Sequence, residues 1–200
     1  PVMRGFYSVI KKCNEQERFV FVTGVTKFCH VSLFSDLNNL QDLSMDADYA
    51  TMLGYTQEEL ESNFSEWIAE AEARQPEPLS YDQFLSQIKA WYDGYRFEET
   101  AENVYNPVSL ANFFMRHGEF SNYWFATGTP SFLLKLIEEN GLSLEKVLSK
   151  PVDVLAFDTY EVRNLDPLAL MLQTGYLTIK GQENFFGEPR YLLDYPNKEV

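Results

Sequence analysis

Arg18 to Phe28 reads RFVFVTGVTKF. Aromatic and β-branched residues fill Phe19 to Val22, and the run ends abruptly in the polar tip TGVTK. A continuous apolar run of this kind predicts a strand buried on both faces, as in the middle of a parallel sheet covered by helices. In α/β proteins the functional groups gather at the carboxyl tips of such strands. Thr23, Thr26 and Lys27 occupy that tip. A Thr hydroxyl can orient a ligand by hydrogen bonding, and a Lys can stabilise the negative charge that gathers in phosphoryl transfer. From the residues alone the structural roles are favoured: a β-branched Thr pads a strand, and Lys27 is then a solvated loop residue.

Working outward, the chain continues KFCHVSLFSDLNNLQDLSMDADYATMLGYTQEEL, and four further segments stand out. They are WYDGYRF (Trp91 to Phe97), VYNPVSLANFF (Val104 to Phe114), NYWFATGTPSFLLKLI (Asn122 to Ile137) and MLQTGYLTIK (Met171 to Lys180). Taken in order across nearly the whole chain, these segments resemble the AAA-ATPase-like family of predicted P-loop proteins. Many of that family carry a restriction-endonuclease-like nuclease domain downstream.

The resemblance implies a mixed α/β, mostly helical chain. Residues 1–54 would be the last piece of a P-loop α/β core, including a sensor strand, and residues 55–200 a helical, winged-helix-like lid with a small hairpin. It implies ATP and magnesium as ligands of the intact protein, although neither is expected on this chain alone. The reason is that no GxxxxGK[ST] occurs here. A phosphate loop works because consecutive backbone N–H groups wrap the phosphates at a helix N-terminus while a Lys and a hydroxyl hold charge and metal. The chain opens on Pro1 and stops at YPNKEV, so it reads as an internal segment lying after the phosphate loop and before the nuclease. By the same resemblance Thr23, Thr26 and Lys27 become nucleotide-sensing candidates. Arg96, the only cation in WYDGYRF, becomes a lid arginine able to grip phosphate oxygens with its planar fork. The alternative for Arg96 is a stack on Tyr92 or Tyr95 or a pair with Asp93.

The net charge of -14, from 16 basic and 30 acidic residues, argues against a nucleic-acid surface on this segment. No apolar run reaches the roughly 20 residues that a membrane helix needs. Cys13 and Cys29 show neither CxxC spacing nor a zinc-type His pair, and read as reduced thiols of a cytoplasmic protein. A Cys29/His30 nucleophile and base fails because adjacent residues of an extended segment point apart. The expected partners are the rest of the parent chain, including a nuclease domain if present, and other proteins. A non-enzymatic interaction module rich in aromatics is the rival reading.

The helix grammar is plain. Arg4 to Glu17 predicts a helix with Phe6, Val9 and Ile10 inward. Gln57 to Arg74 places Leu60, Phe64, Trp67, Ile68 and Ala71 at helical spacing with glutamates opposite. Thr56 with Glu59 and Ser80 with Gln83 predict capping boxes. RQPEPLS separates the two helices they open. Cap, Pro, apolar helix and Gly recur at Asn106-Pro107 to Gly118, Thr129-Pro130 to Gly141 and Asp166-Pro167 to Gly175. The DLSMDAD run at Asp42 to Asp48 lacks the turn Gly of a calcium loop. Val152 to Phe157 predicts an ordinary edge strand, and Tyr176 to Lys180 with Tyr191 to Leu193 a hairpin.

Overall fold

A computed structural model describes residues 9–10, 12–13, 15–24, 40–124, 135, 137–138, 141, 148, 151–153 and 167–200. Within these residues the chain is mixed α/β and mostly helical. It carries a short 3-10 turn at Ala47–Tyr49 and five helices: α1 Gln57–Asn63, α2 Ser65–Ala73, α3 Tyr81–Tyr92, α4 Pro107–Met115 and α5 Pro167–Gln173. The strands are β1 Val152–Asp153, β2 Thr178–Phe185 and β3 Glu188–Asp194, in the antiparallel order β1-β3-β2.

Three of the five helices, α1, α3 and α4, begin where side-chain oxygens replace missing backbone partners, whereas α2 follows Phe64 without a side-chain cap. Thr56 and Ser80 form complete capping boxes with Glu59 and Gln83. Asn106 Oδ1 accepts from the backbone N–H groups of Val108 and Ser109 at 2.9 and 3.2 Å, with Pro107 next in line. One expectation is refined. Gln57 to Arg74 is two helices meeting at Phe64, where φ is -119° and ψ is 17°. Asn63 Nδ2 and Ser62 Oγ both donate to the Glu59 carbonyl, at 2.9 and 3.4 Å. Such side-chain donors compete for carbonyls that would carry the helix forward.

The helices close on one aromatic core. Phe113 lies 4.8 Å from Phe120, 5.4 Å from Tyr92 and 6.1 Å from Phe84, ring centre to ring centre. Leu60, Ile68, Ile88 and Leu110 fill the remaining space with no exposed surface. Burying each such side chain contributes roughly 1.5–3 kcal/mol. A second cluster, Leu170, Met171, Leu177, Ile179 and Leu193, lies between α5 and the sheet. In the first core Trp67 departs from its expected inward position: it is 53% exposed and only its edge meets Phe114.

The amino-terminal expectations need the largest correction. Val9, Ile10 and Lys12 are helical, within the helix expected from Arg4 to Glu17, but Val9 is half exposed. Arg18 to Gly24 is not a buried strand. No described residue pairs with it, Phe19 is 81% exposed and Phe21 50%. A strand needs a neighbour for its N–H and C=O groups, and the described residues supply none. Thr26, Lys27, Cys29, His30, Thr129 and Pro130 lie outside the described residues, as does most of Val152 to Phe157. The expected hairpin is present and longer than expected, reaching Phe185 and Glu188 on either side of a turn at Phe186 and Gly187.

Candidate functional site

WYDGYRF ends α3 and then turns sharply. Asp93 caps the helix in an extended conformation, and Gly94 takes φ +105°, which disfavours any residue with a Cβ. Space makes the same demand: a Cβ at Gly94 would lie 2.1 Å from the Pro196 carbonyl oxygen. The segment after β3 therefore lies directly on the corner. Lys198 N donates to Ala90 O at 3.0 Å, and Asn197 Nδ2 to Asp93 O at 2.9 Å. Glu199, almost fully buried, receives Ser109 Oγ and Trp124 N, each at 2.6 Å. Charged acceptors shorten such bonds and roughly double their strength.

Beyond the corner, Tyr95 bridges Val104 through two backbone bonds of 3.3 and 2.8 Å. That bridge delivers Arg96 to β2. Arg96 N donates to Thr178 Oγ1 at 2.7 Å, Thr178 Oγ1 donates back to Arg96 O at 3.3 Å, and Arg96 Nε donates to Ile179 O at 2.7 Å. Neither alternative foreseen for Arg96 occurs: it stacks on no ring and pairs with no carboxylate among the described residues. Among the described residues nothing engages its two terminal nitrogens, at the end of a side chain pinned through Nε.

The corner holds further charge. Asp93 is 4% exposed. Its Oδ2 lies 3.9 Å from Lys89 Nζ, and its Oδ1 has no partner. Burial pushes its carboxyl above the ordinary Asp value, against the opposing pull of the Gly94 N–H and of Lys89 and Lys180. Lys180 Nζ donates to Pro196 O at 3.3 Å, and desolvation lowers its affinity for the proton, helped by the neighbouring Arg96 charge. Burial pushes the Tyr95 hydroxyl up to about 12. That hydroxyl sits beside the Asn106 and Asn197 side chains without a well-formed hydrogen bond.

The four candidates from the sequence are thus placed unequally. Arg96 is built into the corner, Thr23 is exposed with no bond to Arg96, and Thr26 and Lys27 fall outside the described residues. Two surface hollows, of about 370 and 450 Å³, lie elsewhere, beside Gln83 and beside His117. Among the described residues no three His, Cys, Asp or Glu side chains gather as a metal site. In DLSMDAD, Asp42 and Asp46 instead accept from the backbone N–H groups two residues on, each at 3.0 Å. No helix among the described residues is long and apolar enough to cross a membrane.

The sequence suggested Asp93 only as a pair for Arg96, and gave Lys180 and Glu199 no role at this corner. The Gly after Lys180 was the available signal for that residue, since Gly within a strand marks a bulge. For Glu199 there was none, because an acid near a chain end ordinarily faces water.

Comparison with known proteins gives one informative relation. The chain is 42% identical over 201 residues to an "Uncharacterized protein in vnfD 5'region" of Azotobacter chroococcum mcd 1, with 99% of this chain aligned. The chain spans only 36% of that protein's length. No family model matches the chain, and no solved structure matches it.

Proposed function

We propose that this chain is the sensor-and-lid portion of a longer AAA-like ATP-binding protein, one that contributes Arg96 to phosphate recognition and relies on other parts for the phosphate loop. Arg96 is the observation that supports this reading most. Three hydrogen bonds hold its backbone and Nε on β2 while its fork end meets no acid among the described residues, in a chain with almost twice as many acidic as basic residues. A fixed, unpaired guanidinium is pre-organised for phosphate oxygens. Of the two ligands the reading implies, the terminal nitrogens of Arg96 fit the phosphates of ATP. No described cluster fits magnesium, so no step is assigned to the metal. Under this reading Thr23, Thr26 and Lys27 meet the nucleotide from the core side, and Phe19 to Val22 find their cover in a sheet of the longer protein. The helices and hairpin act as a winged-helix-like lid. The protein is cytoplasmic, its partners are its own ATPase core and any nuclease domain, and the acidic surface makes no direct contact with nucleic acid.

A protein-interaction module is the second reading, and the exposed rings favour it. Phe186 is 94% and Phe185 49% exposed at the hairpin tip, alongside the exposed Phe19, and surface aromatics of this kind anchor partners. Calorimetry with ATP and Mg²⁺ separates the two. The sensor-and-lid reading expects tight ATP binding by a chain extended upstream and only weak phosphate contact by the 200 residues alone, the tight binding being weakened by Thr23→Ala or Lys27→Ala. An extended chain that folds yet ignores ATP leaves the interaction module as the better account.

A further inference from the structure

The sheet carries a second cation beside Arg96. β2 and β3 run in register from Thr178↔Asp194 to Ile179↔Leu193, and then Gly181 rather than Lys180 faces Leu192. Lys180 is therefore the extra residue of a β-bulge, a device that re-aims a side chain relative to the regular pleat. Here the ammonium reaches the Pro196 carbonyl, the same oxygen that Gly94 must be a glycine to accommodate. Arg96 is bonded to the carbonyl of Ile179, the residue immediately before Lys180. One peptide unit thus separates the anchor of the guanidinium from the backbone of the lysine.

Among the described residues neither Arg96 nor Lys180 forms an ion pair, although the chain has 30 acidic residues against 16 basic ones. Asp93 and Asp194 act on Lys180 only from a distance. Like charges on neighbouring segments repel unless something anionic lies between them; Arg96 weakens the hold of Lys180 on its proton, whereas Asp194, more strongly, and Asp93 strengthen it.

We infer that Arg96 and Lys180 together form an anion-binding site for a phosphate-bearing ligand, with the guanidinium fork supplying direction and the bulge-borne ammonium a second charge. The site rests on the reading of Arg96 given above and adds Lys180 to it as the residue that selects a doubly contacted, multiply charged group over a single carboxylate. Thr178, whose hydroxyl is committed to the Arg96 backbone, positions the arginine and makes no ligand contact.

The test uses inorganic pyrophosphate as probe on the 200-residue chain, at constant ionic strength, with nuclear magnetic resonance following the Arg96 Nε–H and the Lys180 amide. Pyrophosphate is expected to shift both signals. Lys180→Gln keeps a donor for Pro196 but removes the charge, and should weaken binding about five- to tenfold, with Lys180→Arg restoring it. Unmoved signals, or equal affinity in Lys180→Gln, overturn the inference. An ATP arm on the longer protein separates the two claims. Loss of ATP binding in Arg96→Gln but not in Lys180→Gln leaves the lid reading standing and removes the second cation. Pyrophosphate binding that needs both residues, without any ATP binding by the longer protein, supports the anion site and removes the ATP reading.

Discussion

Single residues at the α3 corner carry the strongest constraints in the molecule. Gly94 combines φ +105° with a Cβ position 2.1 Å from Pro196 O, so Gly94→Ala must both strain the backbone and push the terminal segment off the corner. A loss of about 3 kcal/mol or more is expected, read as a lower midpoint in urea unfolding; an unchanged midpoint would show that Pro196 does not lie there. Asp93 gives a pH-dependent prediction. Its carboxyl is held above its unfolded value by burial. Its contribution to stability is therefore complete below the unfolded value and declines as the pH rises through the folded one. Asp93→Asn should melt higher than the natural chain at neutral pH, with the gap closing as the pH falls below the ordinary Asp value. A variant that melts lower at neutral pH contradicts this account of Asp93. At this scale the sequence was a partial guide. The Asp-Gly pair announced a turn, because Gly alone takes positive φ freely. Which carbonyl would lie against that glycine depended on residue 196, and no local pattern links positions so far apart.

Among the elements, helix starts were the most legible features and strand burial the least. Both capping boxes and the Asn106-Pro107 start are where local chemistry puts them, because each uses side chains within three residues of the N–H groups they satisfy. Ser80→Ala should accordingly cost about 1 kcal/mol, measured by chemical unfolding. A cost near zero would mean that packing of Phe84 and Ile88 alone fixes α3. RFVFVTG fails for the opposite reason. Its apolar run states that burial is needed without stating what provides it, and in the described residues Phe19 and Phe21 remain exposed. The bulge at Lys180 was likewise hidden, since register is a property of two strands and only one of them can be read at a time.

Across the whole molecule, an aromatic helical core and a small sheet layer are tied together by the segment from Pro196 to Val200. That segment bonds Ala90 and Asp93 on one side and receives Ser109 and Trp124 through Glu199 on the other. Glu199→Ala would take the acceptor from the buried Ser109 hydroxyl and from the half-buried Trp124 N–H, and should cost about 2–4 kcal/mol in unfolding free energy. A loss within 0.5 kcal/mol, the range of ordinary surface changes, would show the tie to be dispensable. The mixed α/β, mostly helical class was legible from caps and periodicity. The meeting of α3, β2 and the terminal segment at Arg96 was not, because it joins residues from three distant parts of the chain. The measurement that bears most directly on the account is ATP affinity of the longer protein with Arg96 replaced by Lys and by Gln. The account predicts that both variants lose at least about tenfold in affinity while keeping their fold, because Lys retains the charge without the Nε anchor and the fork. Undiminished ATP affinity in Arg96→Gln would contradict it.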